Sequence, residues 1–419
     1  MIVLRLALRS VANRWITALL TVCGIAVSVM LLLGVEKVRT GARASFADTI
    51  SGTDAIVGPR TGDLQLLLYA VFRIGGVTSN IAWESYRVVA ARPEVAWIVP
   101  VSLGDSHRGF RVLGTTGDYF AHYRYRGGQR LAFAEGRPFD DLFDAVLGAD
   151  VAERLGYRVD DAVTVDHGLG ASSFARHDDK PFRVAGILAK TGTPVDRTVH
   201  VSLRAIEAIH ADWQSGAPIP GLTLGADELR RMALTPRAVS AALVGLKSRL
   251  SVFRFQRWVN AYPREPLLAV LPGVALQQLW DLVGTAETAL GAVSAMVVAT
   301  ALLGMVTAIL STLNERRREM AILRSVGARP GTIFGLLVAE AGLLTGLGIA
   351  LGTVLLYAGL FLVRPLVDAA YGLYLPIEAP SARELAALGL IAAAGLAAGA
   401  LPALRAYRLS LADGMTVRT

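Results

Sequence analysis

Four stretches of this 419-residue chain are apolar and almost empty of charge, and they decide what it can fold into. They run Trp15–Val35, Ala289–Leu313, Thr332–Val363 and Leu385–Leu404, with Glu340 the one charged side chain among them. A helix needs about 20 apolar residues to cross a bilayer. Each stretch meets that length, and the third exceeds it enough to tilt or protrude. The chain is 53% hydrophobic and 18% charged, against about 25% charged for a soluble protein. The shortage is concentrated in these four stretches. Such hydrophobicity also excludes intrinsic disorder. The first stretch is longer than the apolar run of a signal peptide, about 7–15 residues. Ala42-Arg43-Ala44, which looks like a cleavage site, lies well beyond it. The first stretch is therefore read as a retained helix.

The formal net charge of +8 invites a nucleic-acid reading. The positions of the arginines argue against it. Arg5, Arg9 and Arg14 precede the first stretch, with no acidic residue between them. Arg316, Arg317, Arg318, Arg324 and Arg329 separate the second from the third, and Arg405, Arg408 and Arg418 follow the fourth. The connection between the third and fourth holds Arg364 and Arg383 against Asp368 and Glu378. Arginine near membrane ends marks the cytoplasmic side. Both termini and the 314–331 segment are expected there, and the basic balance is an orientation code.

The fold class expected is an α-helical membrane protein with four transmembrane helices. A large mixed α+β extracytoplasmic domain is inserted between helices 1 and 2. The divisions are 1–14 cytoplasmic, 15–35 span, 36–288 outer domain, 289–313 span and 314–331 cytoplasmic. Then come 332–363 span, 364–384 outer connection, 385–404 span and 405–419 cytoplasmic tail. Within the outer domain, Thr53–Val57, Ala96–Leu103, Phe110–Thr115, Ala238–Leu246 and Pro266–Leu271 read as strands. Trp83–Arg92 and Ser248–Tyr262 read as helices. That order is compatible with a split β-α-β-β-α-β layout carrying a long insertion over about 117–221. Glu36–Ile50 and Val274–Thr288 continue the flanking spans without a breaker. Each reaches roughly 20 Å beyond the membrane at 1.5 Å per residue.

Several residue groups are candidates for function. Glu340 lies about 12 Å along its helix from Thr332. An intramembrane carboxylate is a functional candidate by default, and packing near the inner interface is the preferred alternative to proton coupling. Gly342/Gly346, Gly348/Gly352 and Gly395/Gly399 are small-xxx-small pairs that allow close helix contact, including contact between two chains. The run Leu64–Phe72 is too short to span a membrane. It is core or, in the alternative, a partner or substrate patch made of Leu66, Leu67, Leu68, Tyr69 and Phe72. All six histidines lie in the outer domain, without metal-ligand spacing, so no metal is expected. The single cysteine, Cys23, excludes an intrachain disulfide. No GxxxxGK[ST] phosphate loop or GxSxG nucleophile motif occurs in the sequence.

The most informative string is NERRREMAILRSVGARPG, Asn314 to Gly331. Its charged and apolar residues alternate by helical face, as in a helix lying on a membrane surface. Gly327 permits a turn, and Pro330 suits the first position of the next helix. The string resembles the ER..E.A.LR..GA signature of the FtsX/MacB superfamily of ABC-transporter permeases. Glu315, Arg316, Glu319, Ala321, Leu323, Arg324, Gly327 and Ala328 fill its positions. Residues 7–29, 147–165 and 186–203 resemble further segments of that family. So does the Gly399–Leu411 tail, except that Ser410 stands where proline is usual.

The resemblance implies a permease with the layout of the LolC/LolE type and no fused ATPase domain. Residues 314–331 would dock on a separate ABC ATPase subunit, which binds the ATP and Mg. This chain would hold no cofactor and catalyse nothing itself. Its partners would be that ATPase, a second copy or a similar permease, the lipid bilayer and a periplasmic protein, with no nucleic acid. The implied mechanism is mechanotransmission, in which ATP-driven motion crosses the membrane and works on an extracytoplasmic substrate. Two other function classes remain open on the residues alone. One is an FtsX-like regulator of a cell-wall hydrolase, and the other is a membrane-anchored sensing module.

Overall fold

The computed structural model describes residues 2–76, 78–167, 180–214, 217–218, 224–315, 320, 322, 324–371 and 377–408. The chain forms two compact units. One comprises Met1–Gly41, Gly284–Pro365 and Pro376–Thr419, and the other Ala42–Val283 and Leu366–Leu375.

The first unit is helical. A short helix, Ile2–Asn13, precedes four long ones: Trp15–Asp48, Pro272–Glu315, Pro330–Tyr371 and Ala382–Arg408. All four are long and apolar enough to cross a membrane. The first three have 34, 44 and 42 residues. At 1.5 Å per residue they outrun a hydrocarbon core of about 30 Å. The third passes through Pro365 to Tyr371, so part of the 364–384 connection is helical. Ile25, Val29, Met305, Ile309, Leu337, Ala341, Leu344 and Ile391 form the core of this unit. Many other apolar side chains face outward, including Leu20, Met296, Phe361 and Leu390, as lipid-facing positions require.

The second unit is built on one sheet, which has 11 strands among the described residues. At one end lie Leu267–Val270, Ala55–Pro59, Ala241–Leu246 and Val95–His107, in that spatial order. All neighbours among these four are antiparallel. Numbered along the chain the order is 4-1-3-2, the split β-α-β-β-α-β arrangement. Side chains alternate between the faces of a strand, and here both faces are buried. Ile56 and Leu243 enter one core, while Ala55, Val57, Ala242 and Val244 enter the other. That explains why these strands read as unbroken apolar runs. Tyr86 and Val89 of the Trp83–Ala90 helix, with Phe255 and Val259 of Val252–Asn260, cover the second face.

The opposite face is covered by the helix Asp63–Ala70. Leu66, Leu67 and Tyr69 are fully buried there, and the Tyr69 hydroxyl donates to the Ser240 carbonyl at 3.0 Å. Phe72 is buried in the same core and Leu68 packs against it. Leu66, Leu67 and Tyr69 therefore form no surface patch, and Phe72 borders a cavity. An amphipathic face was not needed to bury them, because a sheet with two apolar faces requires a second cover.

The insertion begins earlier than its expected boundary. Phe110–Thr115 turns back on Val95–His107 as a hairpin and carries the sheet onward. Thr198–Ser202, Asp144–Leu147, Phe182–Leu188 and Phe133–Gly136 follow in that spatial order. Two of these contacts are parallel, Val199 beside Val112 and Val184 beside Ala145.

Candidate functional site

The 314–331 segment is partly described. Glu315 is helical, as are Met320, Ile322, Arg324 and Ser325. Arg316, Glu319, Ala321 and Leu323 lie outside the described residues. Met320 is buried in the helical core, whereas Ile322 is 56% and Val326 83% exposed. Gly327 takes φ +102°, the left-handed region that glycine enters without strain, and Ala328 and Arg329 lead into the helix starting at Pro330. The segment thus presents Ile322, Val326 and a half-buried Arg324 next to a sharp turn.

Glu340 is buried, and its carboxylate accepts a hydrogen bond from Ser10 Oγ at 3.4 Å. With Arg14, Thr17 and Thr21 it lines a small cavity of about 20 Å³, room for about one water. The carboxylate therefore ties the N-terminal helix Ile2–Asn13 to the third long helix.

The glycine pairs pack mostly within the chain. A Cβ on Gly348 would stand 2.6 Å from Ile25 Cβ, and one on Gly352 would stand 2.5 Å from the Ala26 carbonyl oxygen. One on Gly395 would meet Thr345 Oγ1, and one on Gly399 the Ala341 Cβ, both at 2.3 Å. Gly342 faces Leu396. These five positions are occupied by intrachain neighbours and are not free for a second copy. Gly346, with nothing within 4 Å, is the member left open.

A network that sequence reasoning missed joins three of the long helices. Glu36 accepts from Arg39 at 2.6 Å, Arg39 reaches Glu287 at 3.9 Å, and Arg383 reaches Glu36 at 3.9 Å. Lys37 pairs with Glu384 at 3.2 Å, the two side chains being 10% and 3% exposed. Lys37 also donates to the carbonyls of Glu378 and Ala379, and Tyr357 donates to Glu378 as well. Glu384 caps its own helix in return: it accepts from the Ser381 amide at 2.7 Å, and its amide donates to Ser381 Oγ. That reciprocal capping box, S-x-x-E, is a readable signal. The partner 347 positions away is not. The network borders a cavity of about 380 Å³.

In the outer domain, the segments that carry the resemblance prove to be backbone devices. Asp196 accepts from the amides of Thr191 and Gly192 and from the Thr191 hydroxyl, closing the 191–197 loop. Burial pushes its carboxyl upward despite those hydrogen bonds. Gly148 lies under this loop, where a Cβ would stand 2.2 Å from the Val195 carbonyl oxygen. His200 is fully buried against Tyr119 and Phe120, with Nδ1 on the Val146 carbonyl at 3.2 Å. Burial, and after it the charge of Arg73, lowers its pKa to about 3, so it is neutral. His107 is held between the Thr164 carbonyl and the Tyr157 hydroxyl, and His122 stacks on Trp97. His177 lies outside the described residues. Among the described residues, no three metal-ligating side chains converge.

Residues 18–241 match the MacB-like periplasmic core domain, and residues 291–411 match the FtsX-like permease C-terminal region. The chain belongs to the MacB/FtsX-like family of ABC-transporter permeases. It is 24% identical to the macrolide export ATP-binding/permease protein MacB 1/2 of Paracoccus denitrificans, over 97% of this chain and 57% of that protein. It is 22% identical to the MacB protein of Wolinella succinogenes, over 97% of this chain and 59% of that one. The chain thus spans somewhat over half the length of these relatives. The crystal structure of the periplasmic region of MacB from Actinobacillus actinomycetemcomitans aligns with 55% of this chain and 94% of its own. That alignment has a TM-score of 0.33 at 12% identity. Membership makes this an integral membrane protein with four apolar helices and a periplasmic-type domain.

Proposed function

We propose that this chain is the permease subunit of an ABC assembly that works by mechanotransmission. A separate ATPase grips residues 314–331 from the cytoplasm, where Ile322, Val326 and Arg324 offer an apolar and cationic contact. Closure of the ATPases pulls on that segment. The pull travels along the Pro272–Glu315 helix, with Trp15–Asp48 as the second connection. The periplasmic-type domain then acts on a substrate already outside the inner membrane, for extraction or export.

The observation that carries this reading is helical continuity. Trp15–Asp48 and Pro272–Glu315 run unbroken through the positions where the chain passes from one compact unit to the other. A continuous helix transmits a displacement that a flexible linker would absorb. The membrane helices also offer few polar side chains among the described residues: the buried ones are Ser28, Ser294, Thr345, Glu340 and, in the first turn of the fourth helix, Glu384. That is poor material for a hydrophilic pore. Glu340 serves here as a tether for the N-terminal helix.

The test is association with ABC ATPases from the same genome, co-expressed one at a time with the full chain. Val326→Asp and Arg324→Glu should each abolish co-purification and substrate-stimulated ATP hydrolysis in proteoliposomes, while the chain stays membrane-inserted. Variants that bind the ATPase and function as the parent does would refute the reading.

A further inference from the structure

The outer domain holds a cavity of about 420 Å³, a size typical of small-molecule sites, which span about 300–1,000 Å³. Three guanidinium side chains line it, Arg73, Arg111 and Arg197, and no aspartate or glutamate is among its lining residues. Its apolar wall includes Phe46, Phe72 and Ile74. The Phe46 and Phe72 rings lie 4.6 Å apart, and Ile74 is half exposed at the rim.

The cationic side of the cavity is built at some cost. Arg73 holds φ +60°, a conformation unfavourable for a non-glycine residue. Strain of that kind persists where the surroundings over-determine it, and such sites are often functional. The Arg73 side chain donates to the Ala70 carbonyl and reaches the Tyr119 hydroxyl at 3.5 Å, yet its Nε is buried without a partner. Arg111 donates to the Gly75 carbonyl. Burial, followed by the charge of Arg73, holds the Arg111 guanidinium below its ordinary pKa. Like charges collected in a partly dry cavity repel one another, and an anion among them relieves that repulsion. Guanidinium groups suit carboxylate, sulfate and phosphate, which accept paired hydrogen bonds.

We propose that this cavity is a binding site for an anionic amphiphile, with its head on Arg73, Arg111 and Arg197 and its apolar part against Phe46, Phe72 and Ile74. The site deepens the transport reading by naming a substrate class, a single-chain amphiphile with one acidic head. Binding is tested without ATP or any ATPase, so failure of the coupling mechanism leaves it standing, and the reverse holds too.

The experiment uses the full chain in phosphatidylcholine nanodiscs and a dodecanoate bearing a photoactivatable diazirine, with adducts mapped by mass spectrometry. Labelling should fall on residues 45–49, 72–74, 109–111 and 192–197. Excess dodecanoate should compete it away, and dodecan-1-ol should not. Arg111→Gln and Arg197→Gln should each weaken competition by about tenfold, as expected for loss of one charged hydrogen-bonding partner. Ile74→Trp, at an exposed rim position that does not threaten folding, should block labelling by filling the mouth. Three results would overturn the proposal. Equal competition by dodecan-1-ol would mean apolar partitioning only. Equal competition by inorganic phosphate would mean a simple anion site. Absence of label from these four segments would mean no site.

Discussion

Gly352→Ala should loosen the contact between the first and third long helices, and its effect can be isolated. An added Cβ falls 2.5 Å from the Ala26 carbonyl oxygen, 2.9 Å from Val29 Cβ and 3.0 Å from Ala26 Cα. Two of those atoms are backbone, and the third is fixed to it. No rotamer change relieves the overlap, so the helices must separate. Overpacking of this kind costs about 1–3 kcal/mol. Alanine also gains about 1 kcal/mol over glycine in helix propensity, which masks part of the loss. Gly346→Ala supplies the correction: it carries the same propensity gain, and its Cβ meets nothing within 4 Å. The difference between the two variants should therefore be about 1–3 kcal/mol, with Gly352→Ala the weaker. A loss of about 1–2 kcal/mol lowers the folded-to-unfolded ratio about 5- to 30-fold. Unfolding of the full chain in mixed micelles, titrated with dodecyl sulfate and followed by circular dichroism, reads that ratio. Two curves agreeing within about 0.3 kcal/mol, the usual scatter between independent sites, would refute the packing argument. A change in oligomeric state on Gly352→Ala alone would refute it too, because it would place this glycine between two chains.

The Lys37–Glu384 pair should behave as a buried one, since both side chains are nearly enclosed. Lys37→Met should cost about 3 kcal/mol by stranding the carboxylate, and adding Glu384→Gln should recover part of the loss; thermal unfolding of the single and double variants measures both. His200 gives the outer domain an acid weakness. Its folded pKa of about 3 lies below the ordinary 6.5, so the unfolded chain binds a proton that the folded chain refuses. Its contribution to stability is intact above pH 6.5 and is lost as pH falls toward 3, about 2.7 kcal/mol of it by pH 4.5. His200→Phe, placed among the rings of Tyr119 and Phe120, should flatten that limb of the stability–pH curve measured by tryptophan fluorescence. An unchanged slope would show that other groups set it.

Much of this architecture was legible because the membrane imposes its own syntax. Charge-free runs located the four long helices, and apolar runs located most strands of the 4-1-3-2 sheet. Faces and partners were harder to read. Leu64–Phe72 shows the same composition whether it covers a sheet or faces a ligand, and only the sheet's two apolar faces decide. Five glycines of the small-xxx-small pairs meet intrachain neighbours and Gly346 meets none, and glycine spacing carries no information on whose helix approaches. The Glu36, Lys37, Arg39, Glu287 and Glu384 network was invisible for a different reason. Its members look like ordinary flanking charges until the fold brings them together. Arg73 escaped notice because nothing in a single arginine predicts its backbone angle or its two cationic neighbours.

The sheet of the outer domain has one more consequence. Its two halves meet in one strand: Val95–Val101 pairs with Ala241–Leu246 in the 4-1-3-2 core, and Ser102–His107 pairs with Phe110–Thr115 in the insertion. A domain inserted by two flexible strands of chain hangs like a pendant and swings on its own. An insertion that begins on the second half of a core strand is tied to the core along that strand's own backbone. A twist applied to Val95–Val101 is carried along that strand to Ser102–His107, and the register shift between Leu103 and Ser106 is where the strand can bend.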